Sequence, residues 1–158
     1  MRGLSRRDCL GWLMAFSGAT AWGQTGRMST LPASRSLKAE LAEALNLGQP
    51  LIVMVSLEGC AFCRIARQSH LVPMQKAGAV IVQVDMRSAQ SVLDFQGHAT
   101  THDQLSKQWK IAVAPTLLFF GARGQEVAER MEGAYLPDFY GPYLEERLAK
   151  GRLALERS

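Results

Sequence analysis

The sequence predicts an α/β domain, a mixed β-sheet with helices on both faces. Three observations predict it. LIVMVSL at 51–57 and AVIVQVDM at 79–86 are nearly continuous apolar runs, the pattern of strands covered on both sides. The segment between them reads as a helix, so the two strands lie parallel and are joined by a right-handed crossover. A third apolar run, IAVAPTLLFF at 111–120, leads into a turn at 121–124 and a further extended stretch, which reads as an antiparallel hairpin.

Taken in order, the first helix begins after Ser36, a capping residue, with Leu37, Leu41, Ala44 and Leu45 at helical spacing; Gly48 and Pro50 end it. The strand 51–57 follows. A second helix runs from Cys60 to Gln75, with Ile65, Ala66 and Leu71 or Val72 facing inward, and Gly78 breaks it. The strand 79–86 is next. Residues 88–101 have no clear period and read as an insertion, followed by a short helix at 102–109. The third strand starts at or after Pro115, and 125–131 pairs back on it. Pro137 opens the last helix, where a proline suits the first turn. Leu136, Phe139, Tyr140, Tyr143, Leu144 and Leu148 give that helix an apolar stripe, which reads as core.

The chain has 158 residues, 47% of them hydrophobic and 20% charged, enough to bury a core without staples. The formal charge of +4 is spread along the chain. No basic stripe argues for nucleic acid, and no nucleotide motif is present. The N-terminus differs in kind. Arg2, Arg6 and Arg7 precede an uncharged run from Cys9 to Gly23, with small residues near a cut site. This is the layout of a signal peptide over 1–23, and the run is short for a membrane span. SRRDCL resembles a twin-arginine export motif, except that Cys9 stands where that motif carries a large apolar residue. An uncleaved anchor is the alternative. Residues 24–35 read as a linker, 36–152 as the domain and 153–158 as a tail. Export implies a periplasmic location. Cleavage leaves 15 basic and 13 acidic residues, a charge of +2, and leaves Cys60 and Cys63 as the only cysteines of three.

Those two sit in LEGCAFCRIARQSH, where the first strand ends and the second helix begins. So short a loop restrains little of the unfolded chain, which argues against a structural staple. At a helix start, unpaired N–H groups stabilise a thiolate on Cys60. Cys63, one turn on, is placed to close a disulfide. Cys60 then attacks a partner disulfide and Cys63 resolves the mixed disulfide. A Cys-x-x-Cys pair beside a strand–helix unit is a redox signal, though not decisive alone.

Over roughly 36–150 the chain resembles the thioredoxin-fold family, through the strand entering the cysteine pair, Arg64 after it, VDM around Asp85, VAPTLLFF with Pro115, and EGAY with Gly133. The middle segment, LDFQGHATTHDQLSKQWKIAVAPTLLFF, is most similar to exported thioredoxin-related proteins of the sulfur-oxidation (SoxW) type. The resemblance implies a three-layer fold, a cis peptide before Pro115 beside the cysteines, and a backbone at Ala114 open to an extended partner segment. An ordinary trans proline is the plainer reading. Ala61 and Phe62, between the cysteines, replace the family's Gly and Pro. Phe62 offers an apolar surface for docking a protein, or packs on the neighbouring loop. Gly59 stands in place of the family's Trp, and Met54 in place of its buried acid; Glu58 is the nearest acid and points to solvent. The resemblance implies an exported disulfide reductase, acting as a monomer on disulfide-bonded exported proteins. It needs no organic cofactor and is fed electrons by a membrane thiol-transfer protein.

A second reading is metal binding or transfer. His98 and His102, at H-x3-H spacing, could join Cys60 and Cys63 to hold zinc or copper, if the insertion folds back over the cysteines. The gap from Cys63 to His98 is far longer than in a zinc finger. His70 reads as a helix-surface residue. A redox-inactive adaptor, using only the groove, is a third and weaker reading.

Overall fold

The computed structural model describes residues 30–134 and 137–157. The leader 1–23, residues 24–29 of the expected linker and Leu136 lie outside the described residues. The element order is α1 (Leu37–Asn46), β1 (Leu51–Ser56), α2 (Ala61–Ala66), a π-helical turn (Arg67–Leu71), α3 (Val72–Lys76), β2 (Ile81–Asp85), β3 (Ser91–Leu93), β4 (Ala99–Thr101), α4 (His102–Gln108), β5 (Thr116–Phe120), a short 3-10 turn, β6 (Met131–Glu132) and α5 (Pro137–Glu156). The expected helix at 60–75 is thus one helical path interrupted by a π turn.

The central sheet has the order β2–β1–β5–β6. β1 and β2 are parallel, whereas β1–β5 and β5–β6 are antiparallel. The mixed sheet and the parallel first pair are those the sequence predicts. All six residues of β1 are buried. The two-residue period of a strand divides them between two cores. Ile52 and Met54 pack with Cys63, Ala66, Leu71, Leu144 and Leu148 from α2, the π turn and α5. Leu51, Val53 and Val55 pack with Leu37, Leu41, Ala44 and Leu105 from α1 and α4. This three-layer build is why β1 reads as continuously apolar.

Several expectations are corrected. Residues 31–35 do not behave as a linker. Leu31 and Ser34 are buried, Ala33 forms a parallel bridge with Gln83, and Gln83 N–H donates to Pro32 O at 2.8 Å. Residues 88–101 contain the β3–β4 hairpin, closed around Asp94, whose carboxylate accepts from the Gln96 and His98 amides. The strand expected at 125–131 is reduced to a bridge at Glu126 and to β6. Helix α5 runs to Glu156, beyond the expected domain limit. Its stripe is only partly core, since Tyr140, Leu144 and Leu148 are buried but Phe139 and Tyr143 face out. Ile65, expected inward, is exposed. No helix among the described residues is long and apolar enough to cross a membrane.

Candidate active site

The first strand, interior to the sheet, delivers the cysteines just beyond its C-terminal end. After Ser56 the chain turns, with Cys60 N–H donating to Leu57 O. Gly59 takes φ +75°, a left-handed conformation that glycine adopts without steric cost. Cys60 is then the N-cap of α2, and its sulfur accepts the Cys63 amide at 3.1 Å. The two cysteines form a disulfide, with Cα atoms 5.2 Å apart. They are unequal. Cys63 is 1% exposed and belongs to the core, whereas Cys60 is half-buried and opens to the surface. An incoming sulfur meets Cys60 first. The Cys63 N–H aimed at that sulfur favours a thiolate there.

Two further segments frame the pair. The Ala114–Pro115 peptide is cis, and the Ala114 carbonyl oxygen lies 3.7 Å from Cys60 Sγ. Thr116 Oγ1 donates to Val113 O and Gly133 N–H to Pro115 O, both at 2.8 Å, fixing this loop to the strand below. Ala61 and Phe62 lie on the surface, Phe62 at 59% exposure. Phe62 therefore keeps more than half of its surface open. Met54 is fully buried in the core that holds Cys63, and no carboxylate is buried among the described residues. Glu58 is exposed.

Beside Cys60 lies an open pocket of about 970 Å³, lined by Ser56, Arg64, Arg67, Asp85 and Arg87 among others. Ala114, Pro115 and Phe62 are not part of it. Its floor is a polar chain. Arg67 donates from Nε to Gln83 Oε1 at 2.8 Å and from Nη2 to Ser56 Oγ at 2.9 Å. Gln83 in turn donates to Asp85 Oδ1 at 2.7 Å. The sequence reading overlooked Arg67 and Arg87. A signal for Arg67 was present, because Cys60, Arg64 and Arg67 fall at i, i+4 and i+7, one face of a helix. Arg87 had none, since it is placed by the tight turn after β2, with φ +63°.

The histidines do not gather at the cysteines. His102 is completely buried. Its Nδ1 accepts the Asp85 N–H at 3.1 Å, and its Nε2 donates to Ser34 O at 3.0 Å. Both nitrogens are committed to backbone. His98 is 79% exposed and sits 3.5 Å from Asp94. No group of three or more metal-ligating side chains occurs among the described residues, so the metal site expected from the H-x3-H spacing is not assembled. His70 is not simply on the surface. It is half-buried against Tyr140, ring centroids 4.7 Å apart, and burial lowers its pKa from the ordinary value.

Residues 37–147 match the family model of the thioredoxin-like domain. The chain belongs to the thioredoxin-like domain family. Among solved structures, a thioredoxin from Thermus thermophilus is similar at TM-score 0.54 and 20% identity, covering 78% of this chain and 91% of that one. Thioredoxin NaTrxh from Nicotiana alata gives 0.53 and 17%, covering 80% and 99%. Reduced Schistosoma mansoni thioredoxin pre-protein gives 0.50 and 17%, covering 77% and 98%. No curated protein matches the chain in sequence. A thioredoxin-like domain with a Cys-x-x-Cys disulfide at a helix start supports a thiol–disulfide oxidoreductase in general.

Proposed function

We propose that the protein is an exported thiol–disulfide oxidoreductase that reduces disulfides of periplasmic proteins. The observation that carries the redox part is the asymmetry of the Cys60–Cys63 pair, one sulfur open and one buried on the same helical turn. In the reduced protein, the Cys60 thiolate attacks a substrate disulfide and forms a mixed disulfide, releasing one substrate thiol. Cys63 then attacks Cys60 Sγ, closing the protein disulfide and releasing the second thiol. Two electrons pass to the substrate, and the two cysteine protons end on its thiols. Ala61, Phe62 and Ala114 form the substrate-facing surface around Cys60, with Pro115 buried next to Ala114. The arginine-led leader supports export, and the resemblance of residues 93–120 to the sulfur-oxidation type supports the reductase direction. In that direction a membrane thiol-transfer protein restores the dithiol.

The test is the reduction potential in thiol–disulfide buffers. A value near the thioredoxin figure of about −270 mV supports a reductase, whereas one near the DsbA figure of about −120 mV reverses the direction. Cys63→Ser is expected to accumulate a mixed disulfide detectable by mass, and Cys60→Ser to form none. Without a reversible two-electron couple, the redox reading fails.

A further inference from the structure

Three arginines are half-buried among the described residues: Arg67, Arg130 and Arg147. Arg130 is paired with Glu126, and Arg147 with Glu129 and Glu146. Among the described residues Arg67 has only neutral partners, Ser56 Oγ and Gln83 Oε1. Gln83 stands between it and Asp85, and no ion pair joins the guanidinium to a carboxylate. A partly desolvated cation without a counter-charge is costly, and an incoming anion relieves that cost. Two bonds hold the guanidinium plane, and Nη1, which has no partner among the described residues, is left to donate a charge-assisted bond to an incoming carboxylate. Arg64 and Arg87, exposed and without ion pairs among the described residues, line the same pocket, and so does Cys60. The pocket also contains Glu58 and Asp85, leaving an excess of one positive charge.

We propose that this pocket binds a carboxylate carried next to the substrate's disulfide, so that the protein selects acidic disulfides. The proposal rests on the oxidoreductase reading above. The apolar surface at Phe62 and Val113 bears no charge and could not supply this preference.

The experiment is single-turnover reduction by the full chain, previously reduced with dithiothreitol and freed from it, at low ionic strength. The probes are 3,3′-dithiodipropionate, bis(2-hydroxyethyl) disulfide and cystamine, which carry anionic, neutral and cationic ends. Each rate constant is divided by that for dithiothreitol with the same probe, removing intrinsic reactivity. The corrected order is expected to be anion, neutral, cation, with the anion about tenfold ahead of the neutral probe. Salt should compress that ratio. Arg67→Met is expected to bring the anion-to-neutral ratio close to one. Arg64→Gln and Arg87→Asn, both at exposed positions, should each lower it about threefold, and they carry the test if Arg67→Met does not fold.

A corrected ratio near one in the parent protein, or one unmoved by all folded variants, overturns the proposal. Reduction of the neutral probe would then leave the oxidoreductase reading standing. If no probe is reduced and no reversible couple exists, both fall. Disulfide-linked peptides with Glu or Gln beside the cysteine distinguish the source. A Glu preference that depends on Arg67 places the carboxylate on a polypeptide, and a preference confined to the small acid places it on a small-molecule disulfide.

Discussion

Cys60 and Cys63 lie one helical turn apart, so their pairing needs no long-range information. His102 shows the opposite. Its ring bonds to Asp85, 17 positions away, and to Ser34, 68 positions away, and spacing to His98 says nothing of either. A ligand-like motif here is a structural cross-tie between the domain's first residues, β2 and α4. His102→Ala is expected to strand a buried amide and a buried carbonyl and to destabilise the fold by about 2–4 kcal/mol, measured by urea unfolding. If the ring were a metal ligand instead, zinc affinity in solution would collapse with that substitution. The expected result is that the parent shows no zinc-dependent shift in stability for the variant to lose.

Among elements, the helix after the cysteines lies where the sequence predicts and buries Ala66, Leu71 and Val72 as expected, but Ile65 faces out. Ala66 and Leu71 are both buried, although five positions separate them. On an unbroken α-helix that spacing turns the second residue well away from the first. The π turn at Arg67–Leu71 supplies the extra residue that brings Leu71 and Val72 to the sheet and leaves Ile65 outside. Sequence periodicity cannot announce such a turn, because it is itself a break in period. Leu71→Ala is therefore expected to cost about 2–5 kcal/mol, and Ile65→Lys less than about 0.5 kcal/mol, in the same unfolding assay. The π turn also carries His70 to Tyr140. Burial holds the folded imidazole below its ordinary pKa of about 6.5, so the unfolded chain takes up the proton first as pH falls. Stability from this site is present above that value and is lost as pH falls through the folded one. His70→Phe, which keeps an aromatic ring beside Tyr140, should flatten the stability curve as pH falls below about 6.5.

At the scale of the whole molecule, fold class and strand order follow from apolar runs that any reader of the sequence meets. The limits of the domain do not. Residues 31–35 are polar and small enough to read as linker, yet they bury Leu31 and bond to Gln83, Leu93 and His102. A chain beginning at Ser36 is expected to lose on the order of 3 kcal/mol relative to one beginning at Thr30. Its melting temperature should fall by about 10 °C. Equal melting temperatures would return these residues to the linker. Pro32–Ser34 also lie along the outer side of β2, where a sheet otherwise offers unpaired amides and carbonyls to any neighbour. The opposite margin is β6, only two residues long. With one margin occupied and the other too short to template a ladder, the sheet is closed to growth by strand addition, and resistance to self-aggregation is built in by five residues of unremarkable sequence.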